Sequence, residues 1–451
     1  MNDLPFAFRI LEDPGEKTEN RLDSLQTLEM TGLSPAQSPE RLSYLGAALR
    51  ALRLQLTGPE RDEECLRRTA EELREQLECP RNGEQVCVIC GKGWLADAVW
   101  ILLGGKGKRL LRWEDGISGE MLRDPAVTLL ICEETPISWG EEPSGAVRID
   151  LWRYLEFRWL RFPQFYTIKR EFERSASEDT AVVVTGMSYI RDAVQCGLLN
   201  RKAVSLANSS QDLFYDFQMF QYACARLKRP RYAVIGLAPY SLRYDESRSK
   251  VQRNRLFAYY AAVGSFHNCP DTAGEEAFYD REQEKIRLCF SEAEIDRIFE
   301  QVYVPLFGDG RFDDRETYEE EDVDSRTEAG FLEEMRGKFH KPYEHTRKEN
   351  TQILREYLTF CQSRGIRALI LLPPYSDWYK AHWDPAYREE LLGVLDSFRP
   401  ELDFEVLDLT AEHLDNCYFK EYAHVNRLGA IWTAGRINRA LDRMENRQSN
   451  A

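Results

Sequence analysis

Two short segments of the chain hold the residue types that acyl-transfer chemistry needs. In the first, the β-branched run Val182–Val184 leads through Thr185-Gly-Met to Ser188, so a serine stands where a buried strand ends and a helix begins. In the second, Glu421-Tyr-Ala-His424 supplies a histidine with a carboxylate three residues before it. A serine nucleophile, a histidine base and a carboxylate that orients the base form a catalytic triad. The two segments therefore predict Ser188 as nucleophile, His424 as base and Glu421 as the orienting group.

Two of these residues also have a plainer interpretation. Ser188 could cap the predicted helix Tyr189–Leu199, because serine is a favoured N-cap residue. Glu421 could be a surface residue, since glutamate is one methylene longer than the aspartate usual in triads. What favours chemistry at Ser188 is the helix N-terminus, whose N–H groups stabilise a developing oxyanion.

Taken together, the two segments resemble the SGNH (GDSL-like) hydrolase and acyltransferase superfamily, over roughly residues 180–442. Gly186-Met187-Ser188 is similar to its Gly-x-Ser nucleophile block, and Glu421-Tyr-Ala-His424 to the Asp-x-x-His block before its final helix. The similarity is greatest to the branch that includes bacterial cell-envelope carbohydrate acyltransferases and the D-alanine-transfer protein of teichoic acid synthesis. The resemblance implies a flavodoxin-like parallel sheet, a serine acyl intermediate and an ester substrate on a carbohydrate or related molecule.

The oxyanion-binding residues depart from the pattern of that superfamily. Many members carry Gly-x-Asn-Asp after the third strand, where this chain has Gly236-Leu-Ala-Pro-Tyr240. We predict Asn208, after the second strand, as the substitute donor beside the Ser188 N–H, with Gly186 and Tyr240 as further substrate-binding residues. Asn208 could equally be an Asx cap on the following helix.

From residue 180 onwards, apolar strands alternate with helices. The predicted strands are 181–185, 203–207, 232–238, 367–372 and 404–409. The predicted helices are 189–199, 212–227, 346–364, 385–397 and 426–444. This alternation indicates an α/β fold with a parallel sheet covered on both faces. Ligands of such sheets bind at the carboxyl ends of the strands, where Ser188, Asn208, 239–241 and 373–376 lie.

The part before residue 180 predicts three further regions. Residues 1–79 indicate a helical N-terminal segment, residues 80–150 a small Rossmann-like α/β domain, and residues 151–179 an aromatic connector that ends at a polar boundary, 175–179. The connector segment 151–172 could instead lie on a membrane surface, but its aromatic residues run round most of the helix, which favours packing inside the protein.

The Rossmann-like domain contains a weak nucleotide-binding pattern. Gly91-Lys-Gly93 follows its first predicted strand, but Ala96 stands where the third glycine of the dinucleotide motif is expected, so structural glycines are favoured. Cys87 and Cys90 have C-x-x-C spacing inside that strand, which favours buried thiols over a redox pair.

A long insertion, residues 242–343, interrupts the SGNH-like domain 180–451. Its size and position indicate a lid or specificity element. The acidic tract within it has neither the ligand spacing nor the central glycine of a calcium loop. We therefore expect a mobile, solvated segment over 309–325.

Composition excludes several classes of function. The net charge of −16 argues against a nucleic-acid partner, which needs a basic face. No signal peptide and no run of 18 apolar residues is apparent, and the 11 scattered cysteines indicate reduced thiols, so a cytoplasmic protein is expected. No pair of histidines has metal-ligand spacing, so neither a metal nor a cofactor is predicted.

These patterns lead to one main hypothesis and two alternatives. The main one is an SGNH-like serine esterase or O-acyltransferase acting on an acylated carbohydrate or related ester. The first alternative is a non-catalytic SGNH-fold binding or assembly protein in polysaccharide modification. The second, a nucleotide-dependent enzyme, needs a phosphate loop that the sequence does not contain.

Overall fold

The structure, a computed structural model, describes most of the chain from residue 86 onwards. The described ranges are 86–104, 109–113, 116–135, 143–249, 252–269, 272–310, 328–339 and 343–449, with the isolated residues Lys17, Arg21, Leu25, Ile137 and Trp139. The predicted N-terminal helices and all of the acidic tract after residue 310 lie outside the described residues.

Within these ranges the chain alternates strands and helices. The strands are β1 (Val86–Cys90), β2 (Arg109–Arg112), β3 (Val127–Ile131), β4 (Val147–Asp150), β5 (Val182–Thr185), β6 (Ala203–Ser205), β7 (Tyr232–Gly236), β8 (Arg367–Leu372) and β9 (Phe404–Asp408). The α-helices are α1 (Trp94–Gly104), α2 (Gly119–Arg123), α3 (Leu151–Leu155), α4 (Pro163–Ser175), α5 (Ser188–Ala193), α6 (Leu213–Cys224), α7 (Leu256–Val263), α8 (Ala273–Ile286), α9 (Glu292–Ile298), α10 (Val304–Phe307), α11 (Glu328–Phe339), α12 (Glu344–Ser363), α13 (Asp377–His382), α14 (Pro385–Phe398) and α15 (Arg427–Ser449).

The chain forms two compact units, each with its own parallel sheet. The first consists of Met1–Leu160 with Asp271–Gly310, and the second of Arg161–Pro270 with Arg311–Ala451. In the first, the strand order is β2-β1-β3-β4, and in the second it is β6-β5-β7-β8-β9. Counted from its own first strand, the second sheet has the order 2-1-3-4-5 of doubly wound α/β proteins. The predicted α/β class with parallel sheets is confirmed.

The second sheet is buried on both faces, which explains its continuous apolar strands. Val183 of β5 belongs to a core cluster with residues of α6 and α12, such as Phe220 and Leu354. Its neighbours Val182 and Val184 point to the opposite face, where they pack with residues of α15. Successive strand residues face opposite sides of a sheet, so each of them meets a covering helix.

The glycine-containing turn after β1 contacts the carboxylate of Glu133. Gly91 and Gly93 have φ values of +117° and +89°, which other residues rarely adopt. The Lys92 N–H donates to Glu133 Oε2 at 3.2 Å, and a side chain at Gly91 would lie 2.8 Å from Glu133 Cγ. A nucleotide phosphate would need such N–H groups for itself. The structural interpretation of these glycines is therefore the better one.

The two C-x-x-C thiols lie fully buried in β1. Cys87 and Cys90 are both without solvent exposure. Burial, followed by the charge of Glu133, raises the pKa of Cys90 to about 12. A thiol with such a pKa is protonated and inert at neutral pH, as expected for a structural cysteine.

The aromatic connector is shared between the two units. Helix α3 continues into a π-helical turn, Glu156–Leu160, and the units divide between Leu160 and Arg161 rather than at 175–179. The reason is side-chain packing. The ring centroids of Trp159 and Phe299 are 5.3 Å apart in the first unit, and those of Phe165 and Tyr259 are 4.5 Å apart in the second. These rings, together with Tyr154, Phe157 and Phe162, are buried, so the connector uses its aromatic residues as core.

The insertion 242–343 is divided in the same way. Its helices α8, α9 and α10 belong to the first unit, and α7 and α11 belong to the second. Within the described residues the insertion contains helices and no strand. No helix in the described part of the chain is both long and apolar enough to cross a lipid bilayer.

Candidate active site

The nucleophile candidate stands at a tight turn after β5. Gly186 has a φ of +144°, and a side chain there would lie 2.6 Å from Ile190 Cγ1 and 3.0 Å from the Gly236 carbonyl oxygen. Only glycine allows so close an approach. Met187 takes the N-cap position of α5, and Ser188 is the first residue of that helix. Ser188 therefore does not cap the helix, and its hydroxyl is available for another partner.

That partner is the predicted base. His424 Nε2 lies 2.8 Å from Ser188 Oγ, and His424 Nδ1 contacts Glu421 Oε1. The contact with Glu421 places the imidazole proton on Nδ1, which leaves Nε2 to accept the hydroxyl proton. Both Ser188 and His424 are half-buried and keep access to solvent. The arrangement has the geometry of a serine–histidine–carboxylate triad.

Glu421 is held as a buried carboxylate. It is 6% exposed, and its second oxygen, Oε2, accepts the Ala423 N–H at 3.0 Å. Burial opposes its ionisation, but the charge of His424, the hydrogen bonds from His424 and Ala423, and the charge of Lys338 hold the pKa of Glu421 below its ordinary value. The carboxylate is therefore charged at neutral pH and can stabilise an imidazolium.

A second carboxylate stands near the imidazole. Asp192, on α5, pairs with Arg191 Nε at 2.8 Å and with Lys420 Nζ at 2.9 Å. Burial opposes its ionisation, but the charges of His424, Arg191 and Lys420 lower the pKa of Asp192. It adds a negative potential on the side of α5.

A cluster of buried tyrosine rings, here called the aromatic wall, includes Tyr189, Tyr240 and Tyr375, and the Tyr189 ring contacts the imidazole. The Tyr189 ring is tilted by 32° to that of His424, with ring centroids 4.5 Å apart. The Tyr189 hydroxyl accepts from Lys338 Nζ at 2.7 Å and from the Tyr240 hydroxyl at 3.2 Å. Tyr375 and further rings continue the same cluster. The wall restricts the imidazole to one orientation and gives the site an apolar side.

Asn208 supplies an unused donor at the neighbouring strand end. Its backbone N–H donates to the Gly186 carbonyl at 2.9 Å, which places it beside the nucleophile turn. Its side-chain Oδ1 accepts the Ser209 N–H at 2.8 Å, so the side chain stabilises the turn locally. Asn208 has no solvent exposure, and its Nδ2 has no hydrogen-bond partner within the described ranges. A buried donor without a partner is rare, and its position beside the nucleophile turn makes Asn208 a candidate oxyanion donor.

The structure thus brings the predicted residues to one end of the second sheet. Ser188, Glu421 and His424 form a connected set, with Gly186 and Asn208 joined by a hydrogen bond. Tyr240, predicted to bind substrate, is buried in the aromatic wall, where its hydroxyl donates to that of Tyr189 at 3.2 Å.

Sequence reasoning missed three residues of the site. Tyr189 carries a usable signal, because it directly follows the nucleophile. Asp192 also has one, because it lies one helical turn after Ser188. Lys338 has none, since it reaches the site from a helix of the insertion.

Comparison with known proteins adds no relative. No protein-family model matches this chain, and no curated protein matches it. The functional argument therefore rests on the geometry of the site.

Proposed function

We propose that this chain is an SGNH-like serine esterase or O-acyltransferase. The observation that carries the proposal is the Ser188–His424–Glu421 arrangement, with 2.8 Å between the hydroxyl and the base and a charged carboxylate on the other imidazole nitrogen. The strand order of the second sheet and the position of the serine after its first strand agree with that superfamily.

The proposed reaction begins with attack by Ser188 Oγ on the ester carbonyl carbon. His424 Nε2 takes the hydroxyl proton as the C–O bond forms, and Glu421 stabilises the resulting imidazolium. The carbonyl oxygen becomes an oxyanion, which the Ser188 N–H and Asn208 Nδ2 stabilise. Collapse of this intermediate breaks the ester bond, and the imidazolium returns its proton to the departing alcohol. An acyl-serine remains.

The second half of the reaction removes the acyl group. His424 takes a proton from water or from an acceptor hydroxyl, whose oxygen attacks the acyl carbon. The proton then passes to Ser188 Oγ as the acyl–serine bond breaks. With water the product is a free acid, and with a hydroxyl acceptor it is a new ester. The same residues serve both outcomes.

An acylated carbohydrate or a related ester is the proposed substrate class. The resemblance to envelope carbohydrate acyltransferases suggests it.

Labelling with a fluorophosphonate tests the proposal most directly. Such a probe phosphonylates a serine only where a base activates it. We expect rapid labelling of the full chain, a modified peptide that maps to Ser188, and loss of labelling in His424→Ala. A folded wild-type protein that remains unlabelled would favour the alternative, a binding or assembly protein that has kept the fold without catalysis.

A further inference from the structure

Close to the Asn208 turn, the second unit buries acidic side chains that the proposed reaction does not use. Asp212, Asp216, Asp245 and Glu246 are each 4% exposed or less. Burying an ionised carboxylate costs several kcal/mol unless an opposite charge compensates it. The four buried acidic side chains therefore need a physical explanation.

Three of the buried residues have metal-binding chemistry and lie together. Asp212, Asp245 and His267 each offer one ligand atom, and these atoms all lie within 4.8 Å of one another. Asp212 is the N-cap of α6, Asp245 is the N-cap of the short turn Glu246–Arg248, and His267 follows α7. Three separate segments of the chain therefore converge on one point.

Buried polar atoms without hydrogen-bond partners occur at the same cluster. His267 is 8% exposed, and its Nδ1 has no hydrogen-bond partner in the described part of the molecule. Its other nitrogen, Nε2, lies 3.4 Å from Glu349 Oε1. Both carboxylate oxygens of Glu246 also lack a partner among the described residues. In native proteins nearly all buried polar atoms form hydrogen bonds, so several buried polar atoms without a partner in one cluster indicate a missing ligand.

The arrangement around His267 is the one that metal sites use. A ligating histidine generally donates its second ring N–H to a carboxylate, which fixes the tautomer and aims the free nitrogen at the metal. Glu349 is in position to accept from Nε2, so Nδ1 is the nitrogen left to bind. The ring also stacks on Phe214, with centroids 4.1 Å apart and planes within 3°, which limits its rotation.

We propose that Asp212, Asp245 and His267 bind one divalent transition-metal cation, with Glu246 and Glu349 as neighbouring carboxylates. Imidazole together with carboxylate oxygens suits Zn²⁺ and its neighbours, whereas Mg²⁺ and Ca²⁺ prefer oxygen ligands alone. Asp212 accepts two backbone N–H groups and retains lone pairs for a metal. Asp245 accepts from the Ser247 N–H and hydroxyl, from Arg248 and from Asn268, so the cation would replace one of these donors.

The proposed site has little positive charge from the described residues. Arg248 Nε lies 3.3 Å from Asp245 Oδ2, whereas Asp212 forms no ion pair with a lysine or arginine in the described part of the chain. A dication would place a positive charge beside both carboxylates.

The proposed cation has a structural role separate from the triad. It would join the start of α6 to two loops, and through α6 it would stabilise the turn that carries Asn208. Its test therefore needs no ester substrate, and it can fail or succeed independently of the proposed catalysis.

Titration of the chelator-treated full-length protein with ZnCl₂ by calorimetry tests the site. We expect one Zn²⁺ bound per chain and weak or no binding of Mg²⁺ and Ca²⁺. At 100 times Kd the bound cation should raise Tm by about 5–10 °C. X-ray absorption at the zinc edge should show only nitrogen and oxygen neighbours. Sulfur neighbours would assign the zinc to cysteines, and an absence of binding would mean that the cluster holds protons instead; either result overturns the proposal.

Variants locate the ion within the chain. His267→Gln should weaken Zn²⁺ binding more than about 100-fold, because even residues behind the ligands change metal affinity 10–100-fold. Asp245→Asn should do the same if His267→Gln does not fold. His413→Gln is the matched control, because His413 also contacts a carboxylate, that of Asp377, but lies exposed at the surface. Equal Zn²⁺ affinities in the wild type and in both folded ligand variants would contradict the assignment.

Discussion

Replacing Glu421 with glutamine isolates the contribution of the carboxylate, because glutamine keeps the shape and removes the charge. In the wild type, one oxygen of Glu421 contacts His424 Nδ1, and the other accepts the Ala423 N–H at 3.0 Å. An amide has a single oxygen, so only one of these two donors keeps its acceptor. Ala423 N–H is a fixed donor, whereas imidazole can move its proton to Nε2. We expect the amide NH₂ to face Nδ1 and to hold this unproductive tautomer.

The size of the effect follows from the two contacts. Restoring the productive tautomer requires the amide NH₂ to face the Ala423 N–H, and leaving a buried donor unsatisfied costs about 1–3 kcal/mol, or a factor of about 5–150. Losing the charged hydrogen bond to the imidazolium costs about 1.5–3 kcal/mol more, a further factor of about 10–150. Together these predict that kcat/KM falls by about 10²–10⁴ in Glu421→Gln.

Hydrolysis of 4-nitrophenyl acetate measures this loss, with Ser188→Ala defining the background rate. Glu401→Gln is the control, because Glu401 forms an exposed ion pair with Arg355 and precedes β9, so it lies at the amino ends of the strands, whereas the triad lies at their carboxyl ends. Circular dichroism and Tm establish that each variant is folded. A folded Glu421→Gln protein with kcat/KM within about threefold of the wild type would refute the role given to this carboxylate.

Three further predictions extend the test. Ser188→Ala and His424→Ala should each lower kcat by at least about 10²–10⁴, and the double variant should be little worse, because the two residues act as a unit; additive losses would contradict this. Asn208→Ala should lower kcat by about 10²–10³ with little change in KM, in steady-state kinetics, as loss of an oxyanion donor does. Burial opposes ionisation of Glu173, but its hydrogen-bonding neighbours lower its pKa to about 2, below the unfolded value of 4.5. Its contribution to stability is therefore present above pH 4.5 and is lost as the pH falls towards 2. After solvent screening this contribution is about 1–2 kcal/mol, and urea unfolding of wild type and Glu173→Gln should differ by that amount at pH 6 and converge at low pH.

The parts of the fold that could be predicted are those with a local signal. Strand β8 was predicted as Arg367–Leu372, because a fully apolar run between helices has only one good assignment. Strand β4 was missed, because Val147-Arg-Ile-Asp150 is short and lies at the edge of its sheet, where charged residues alternate with apolar ones.

What depends on distant contacts could not be predicted. The helices of residues 273–307 join the first unit only through tertiary packing, for example that of Phe299 on Trp159. The triad could be predicted because its two motifs occur in the order typical of the resembled superfamily. No motif order marks the cluster of Asp212, Asp245 and His267. Its members are separated by more than 20 residues each, and no local spacing marks them as neighbours.

The turn from Asn208 to Gln211 explains why the buried acids and the candidate active site occur together. Ser210 has a φ of +59°, a left-handed conformation that costs a non-glycine residue about 1–3 kcal/mol. The turn is held by the Gly186 carbonyl on one side and, on the other, by Asp216, which accepts from both the Gln211 side chain at 2.6 Å and the Gly186 N–H. Without these acceptors Ser210 would relax, and the Asn208 amide would lose its fixed direction. Oxyanion stabilisation depends on donors that are already oriented before the reaction, so the strained turn at Ser210 agrees with the role proposed for Asn208.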